Sequence, residues 1–275
     1  MFLPLHDANA LKHVKIQYVT LLIIAANIII WVVWSTPSIS SPEAVHAAYL
    51  SFGYIPAVVN GYESLPAVYA TLPEQASFIT YSFFHSDFMH LAGNMLFIWV
   101  FGDNVEDALG HFRFLLFYVA CAAVGALGHG MLNPQSVAPL IGASGAAAGI
   151  IAAYLMLHPQ VKIWVLMFGK IPLRISAFWV IGAWIAYQVF ELIFNSDSDV
   201  SWGAHVGGII AGALLVMVMR RPGVKLFDRG EAVNTDDTLE SQDTVEVSEA
   251  RIPDVDNVQQ QENTPSPWGR DGRGT

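Results

Sequence analysis

Gly142-Ala143-Ser144-Gly145-Ala146-Ala147-Ala148-Gly149 opens a run of small and apolar residues that ends at His158. As a helix, the 15 residues from Ser144 to His158 reach about 22 Å. A bilayer's hydrocarbon core is about 30 Å thick. An apolar helix this short predicts a span whose first residue lies below the surface. The backbone before it, with Pro139 and Gly142, is then non-helical at membrane depth. Such backbone is tolerated only inside protein or beside a water-filled cavity, which Ser144 would face.

The rest of the chain has the matching character. Of its 275 residues 54% are hydrophobic and 13% charged, with a mean hydropathy of +0.46. Soluble domains carry roughly one charged residue in four. Five more apolar stretches join the short one, giving spans at 18–34, 88–105, 112–132, 144–158, 175–194 and 202–219. The expected fold is an all-α membrane protein: a six-helix bundle with a short, submerged fourth helix and a long outer loop after the first. The first span, preceded by Lys12 and Lys15, runs through Trp31 and Trp34 without a small-x-small cleavage site and reads as an uncleaved anchor. Cys121 is the only cysteine and lies in the third span, so no disulfide can form within one chain.

Charge sets the orientation. With the N-terminus cytoplasmic, all 13 Lys and Arg fall on inner segments: Lys12 and Lys15, Arg113, the 162–174 connection, and everything from Arg220 onward. The outer segments carry Glu43, Glu63, Glu74, Asp87, Asp197 and Asp199 and no Lys or Arg. Six spans with both ends inside satisfy the positive-inside rule.

Two regions lie outside this pattern. Residues 35–87 form an outer loop rich in aromatics, including Tyr49, Phe52, Tyr54 and Tyr69. Short helices at the outer interface are expected there. From Leu226 on, twelve acidic residues stand against four arginines. The expected division is therefore a membrane domain, 1–225, and a disordered acidic cytoplasmic tail, 226–275. No inverted pair of broken helices marks a transporter.

Ser144 sits where helix N-terminal N–H groups and the positive end of the dipole converge, which suits an oxyanion. Packing is the plainer reading, since Gly145 and Gly149 form a GxxxG pair. A serine nucleophile needs a base, and the histidines at outer span ends are His85, His90, His129 and His205. His205, in Trp202-Gly203-Ala204-His205-Val206-Gly207-Gly208, lies one turn into the sixth span, at the depth of Ser144. It shares a face with Gly208 and Gly212, smooth enough to approach the fourth span closely. His90 and Asn94 are spaced i, i+4 at the outer end of the second span and can donate to an oxyanion. A zinc site of H-x-x-x-H type would need a second histidine where Asn94 stands, so no metal is expected, and no cofactor.

These three motifs, Gly142-x-Ser144-Gly145, Ala204-His205-x-x-Gly208 and His90-x-x-x-Asn94, occur in an order and at a depth that resembles the rhomboid intramembrane serine proteases. The likeness covers residues from about Leu11 to Arg221. It implies a Ser-His dyad without a triad acid: Ser144 as nucleophile, His205 as general base and acid, and His90, Asn94 and the Ser144 backbone N–H as oxyanion hole. Gly142, Gly145 and Gly208 are its motif glycines. Gly102-x-x-x-Glu106-x-x-x-Gly110 resembles the family's structural segment after the second span, with Glu106 architectural.

In two places the chain departs from the family pattern. Ala148 stands where an aromatic often stacks on the catalytic histidine, and Ala76-Ser77 replaces a Trp-Arg pair of the outer loop. His129 reads as an interfacial or packing histidine, and Asp103 and Asp107 lie on the inner side, too far away to complete a triad. The implied partners are transmembrane protein substrates, cut near the outer face, and membrane lipids, with no nucleic acid. Short connections and no long targeting extension suggest a bacterial inner membrane. Competing readings are a rhomboid-like binder of transmembrane helices that does not cut, and a small-solute transporter; the first usually lacks the serine or histidine, and the second gives His205 no reason to be where it is.

Overall fold

A computed structural model describes residues 2–167, 169–195 and 200–228. Six long helices dominate it: α1 (Tyr18–Ser35), α5 (Phe88–Leu109), α6 (His111–Leu132), α7 (Ser144–Leu157), α8 (Ala177–Phe194) and α9 (Trp202–Met219). Four of them, α1, α6, α8 and α9, are long and apolar enough to cross a membrane. The other two fall short for different reasons. Helix α5 carries Asp103, Glu106 and Asp107 in its last two turns, and α7 has only 14 residues.

Exposure shows which solvent the outer surface suits. Leu22 and Ile29 of α1, Leu116 of α6, Phe190 of α8 and Leu214 of α9 all face outward. Large apolar side chains turned outward on several helices are what a lipid-facing surface requires. The chain is an integral membrane protein. Helix α7 is the exception, with every residue from Gly145 to Tyr154 buried. It is flanked by α5, α6, α8 and α9, and so forms the centre of the bundle.

Glycines bring the central helices together. A Cβ at Gly208 or Gly212 of α9 would collide with the carbonyl of Gly145 or Gly149 of α7. A Cβ at Gly207 would come within 2.7 Å of the Val124 carbonyl oxygen on α6. Backbone therefore rests on backbone, the contact that small residues permit where lipid supplies no hydrophobic drive between helices.

The expectation of an all-α fold needs one correction. Three strands, β1 (Phe2–Asp7), β2 (Lys162–Met167) and β3 (Ile171–Ser176), form an antiparallel sheet in the order β1-β2-β3. Helix α8 begins at Ala177, two residues later than the expected span, because Ile175 and Ser176 belong to β3. Lys162-Ile163-Trp164-Val165 alternates outward and inward, with Ile163 and Val165 fully buried, as a half-buried strand should. Pro4 and Pro172 fall on the two edge strands, where a missing N–H does least harm, and the register shifts between Pro4 and His6.

Carboxylates of α5 hold the N-terminal segment. Glu106, fully buried, accepts from the backbone N–H groups of Val19 (3.0 Å) and Thr20 (2.7 Å) and from the Thr20 hydroxyl (2.6 Å). It thus satisfies the first turn of α1, which has no side-chain cap of its own. Asp107 accepts from the backbone N–H groups of Lys12, His13 and Val14. Glu106 is architectural, as the sequence suggested.

The loop between α1 and α5 contains α2 (Pro42–Phe52), α3 (Pro56–Val59), α4 (Ser77–Thr80) and two single 3-10 turns. It pairs with the segment leading to α7: Tyr54 and Leu140 exchange backbone hydrogen bonds, and Ala57 N–H donates to the Ser136 carbonyl. Leu226–Asp228 run beneath α7, with Phe227 N–H donating to Met156. The acidic stretch from residue 229 on, and Asp197 and Asp199, lie outside the described residues.

Candidate active site

The short helix begins where the sequence suggested, at Ser144. Gly142 leads into it at φ +118°, a region that L side chains rarely adopt. A Cβ there would also meet His90 Nε2 at 2.5 Å and stand 3.8 Å from Asn94 Nδ2. Both the turn and the space require glycine. The chain thereby passes directly over the His90–Asn94 pair before it reaches Ser144.

Two residues outside the motifs fix that path. Tyr81, 1% exposed, accepts from Gly142 N–H through its carbonyl (3.0 Å) and donates its hydroxyl to the Ala122 carbonyl of α6 (2.8 Å). His85 Nε2 accepts from Ala143 N–H at 3.3 Å, and the His85 and His90 rings meet edge to face at 4.9 Å. Burial, helped by the nearby His90, pushes His85 down to about 3, so its ring is neutral near pH 7 and Nε2 can accept.

Donors for an oxyanion are present. Asn94 is buried, and among the described residues its Nδ2 has no hydrogen-bond partner. A buried amide group without a partner is uncommon and costly, which makes it notable beside a serine. Helix α7 begins without a side-chain cap, so no side chain competes for its first N–H groups. Asp87 caps α5 by accepting from His90 N–H (2.9 Å), and Ser86 Oγ lies 3.2 Å from His90 Nδ1.

His205 lies on α9, three residues before the glycine that touches Gly145, and within electrostatic range of His90. No hydrogen bond joins it to Ser144 among the described residues. Such bonds are often long before substrate arrives. Its Nδ1 is 2.7 Å from Gln188 Oε1 on α8, and its ring stands nearly perpendicular to Trp202 at 5.7 Å. Ala148 has no ring to stack on His205, and the imidazole meets Gln188 and Trp202 instead. His129 is a packing residue: its Nδ1 is 2.7 Å from Ser201 Oγ, and Ser201 caps α9 by accepting from Ala204 N–H.

Gly142, His90 and Asn94 therefore meet in one place, Ser144 is two residues further on, and His205 lies on the helix pressed against α7. The motifs did not reveal Tyr81, His85, Gln188 or Ser201. Of these, His85 had stood among the candidate histidines at outer span ends, and Gln188 left a signal as an amide inside an apolar stretch. Asp103 and Asp107 lie more than three turns from His90 along α5, and Asp107 is engaged with residues 12–14. Among the described residues no cluster of His, Cys, Asp or Glu could hold a metal.

Comparison with known proteins identifies the family. The rhomboid domain family model matches residues 73–222, more than half of the chain. The chain is 32% identical over 148 residues to Rhomboid protein 1, mitochondrial, of Saccharomyces cerevisiae, covering 50% of this chain and 40% of that one. It is 27% identical over 211 residues to the rhomboid protein YdcA of Bacillus subtilis, covering 75% and 91%. Rhomboid protease GluP of the same organism is 28% identical over 145 residues, covering 53% and 26%. The chain spans about half the length of the yeast protein and of its organellar relatives. The matched region holds every element of the site, from Tyr81 to Gly208, and the chain belongs to the rhomboid family.

Proposed function

We propose that this protein is an intramembrane serine endopeptidase that cuts transmembrane segments with a Ser144–His205 dyad. The observation that carries the reading is the start of α7: Gly142 lies against His90 and the unpartnered Asn94 amide, two residues before a serine at an uncapped helix N-terminus. In this reading all six long helices span the membrane. Helix α7, about 21 Å long, begins below the outer surface, and the short helices of the loop rest at the outer interface. The asymmetry of Lys and Arg supports cytoplasmic N- and C-terminal segments and a site open to the outer side. Short connections and the Bacillus relatives support a bacterial inner membrane, whereas the yeast and Arabidopsis relatives are organellar and support an organelle as the alternative.

The chemistry follows from the positions. Ser144 Oγ attacks the scissile carbonyl while His205 Nε2 takes its proton. The carbonyl oxygen becomes an oxyanion, which accepts hydrogen bonds from His90, Asn94 and the Ser144 N–H. His205 returns the proton to the departing amine as the C–N bond breaks. Water, deprotonated by His205, then releases the acyl group and restores Ser144. A substrate helix hides its carbonyls in i to i−4 hydrogen bonds, so a segment that unwinds readily, with small residues at the cut, suits the site. The acidic segment 226–275 is read as a cytoplasmic tail apart from this chemistry.

A fluorophosphonate probe in detergent tests the assignment. Labelling of the wild type and its loss in both Ser144→Ala and His205→Ala is the expected result. Equal labelling of wild type and Ser144→Ala would sink it.

A further inference from the structure

Helix α8 presents most of its surface outward, and beyond Ile181 Gln188 is its one buried residue. Gln188 is 3% exposed, whereas Tyr187, Val189 and Phe190 beside it are 50%, 39% and 52% exposed. A carboxamide is a costly group to bury in an apolar setting unless its polar atoms find partners. Gln188 Oε1 has one, His205 Nδ1 at 2.7 Å.

That contact fixes a proton. A carbonyl oxygen can only accept, so the shared hydrogen belongs to Nδ1, and a neutral imidazole protonated there keeps its lone pair on Nε2. We propose that Gln188 is the positioning residue of the dyad: its Oε1 holds His205 as the Nδ1–H tautomer and aims Nε2 at Ser144. The inference rests on the Ser144–His205 reading and deepens it.

The choice of an amide suits the location. A carboxylate in this place would stabilise the imidazolium more strongly but would be a charge inside the membrane, where ionisable groups are expensive. Gln188 orients without charge. Trp202, perpendicular to the imidazole and to Tyr187 at 5.8 Å, restricts the ring's tilt, while Gln188 decides which nitrogen is bare. The base is therefore built by two helices, with α9 supplying the ring and α8 its tautomer.

The test compares Gln188→Met, similar in length with no amide acceptor, with Gln188→Glu, which keeps an acceptor. For Gln188→Met the maximal fluorophosphonate labelling rate should fall by about 100-fold, with the half-saturating probe concentration and the thermal midpoint unchanged. Gln188→Glu should restore labelling and move the acid limb of its pH profile upward, because a carboxylate favours the imidazolium. His90 on α5 and Tyr187 on α8 are the other titratable groups facing this corner, and both are common to all variants. The ¹⁵N spectrum of the wild-type ring, assigned by difference from His205→Ala, should show a protonated Nδ1 and a bare Nε2. A bare Nδ1, or Gln188→Met labelling at the wild-type rate, would overturn the role of Gln188. Undiminished labelling of Ser144→Ala would instead remove the dyad itself.

Discussion

Helices α7 and α8 are neighbours in sequence, joined by the β2–β3 hairpin, and both are strongly apolar, yet the bundle uses them in opposite ways. Eight of the first ten residues of α7 are Ser, Gly or Ala, and that helix is buried nearly throughout. Helix α8 carries Phe178, Trp179, Trp184, Tyr187, Phe190 and Phe194 and buries only Ala177, Val180, Ile181 and Gln188. In water the bulkier helix would be the one inside. Here the outer solvent is as apolar as the side chains, so volume, not hydrophobicity, sorts the helices: small residues let backbones touch, and large ones face lipid.

The seam offers the strongest way to break this contrast. Gly212→Leu on α9 drives a side chain into the Gly149 carbonyl, where no flexible group can yield. It should cost upward of about 3 kcal/mol, read as a collapse of the thermal midpoint in detergent. A midpoint within a degree or two of wild type would show that α7 and α9 are not in backbone contact.

The difference in pH dependence of stability between wild type and a His85 variant probes the start of α7. His85 is held near 3 in the fold and ordinarily titrates at 6.5, so the unfolded chain takes up the proton first as pH falls. The stability of the neutral ring is full above 6.5 and is lost progressively toward 3. Between pH 7 and 5 that loss is about 2 kcal/mol. His85→Gln should flatten this part of the curve, and a slope identical to wild type would remove His85 from the path that supports Ala143.

The weakest perturbation sharpens the other side. Phe190→Leu on the outward face of α8 should change stability by less than about 0.5 kcal/mol, since lipid replaces whatever the ring touched. A large loss in the same thermal assay would mean that this face is covered.

How much of this was legible depends on whether a residue's partner is local or distant. Ser144, His90, Asn94 and His205 stand out because polar groups are rare in apolar runs, and their spacing along single helices places them at one level. Glu106 could be read as architecture, though not as the cap of α1, a helix some ninety residues earlier. Gln188 matters only through His205 on the next helix, and nothing in Tyr187-Gln188-Val189 says which way the amide turns. The sheet was missed because β1 contains Pro4 and pairs with residues about 160 positions later. The alternation of β2 over four residues was the one clue. Volume sorting explains the rest: the sequence shows that α7 and α8 are apolar, and side-chain size tells which is central.

The pairing of β1 with β2 also imposes an order on biosynthesis. Phe2–Asp7 is made first, but its partner Lys162–Met167 follows only after α1, α5, α6 and α7 have been translated. At roughly 5–20 residues per second, the N-terminal strand waits on the order of ten seconds with its edge unpaired. For most of that interval Tyr154, whose hydroxyl donates to Asp7 in the finished protein at 2.6 Å, has not been made either. Closure of the sheet is thus a late event, possible only once the helix bearing Ser144 has been made.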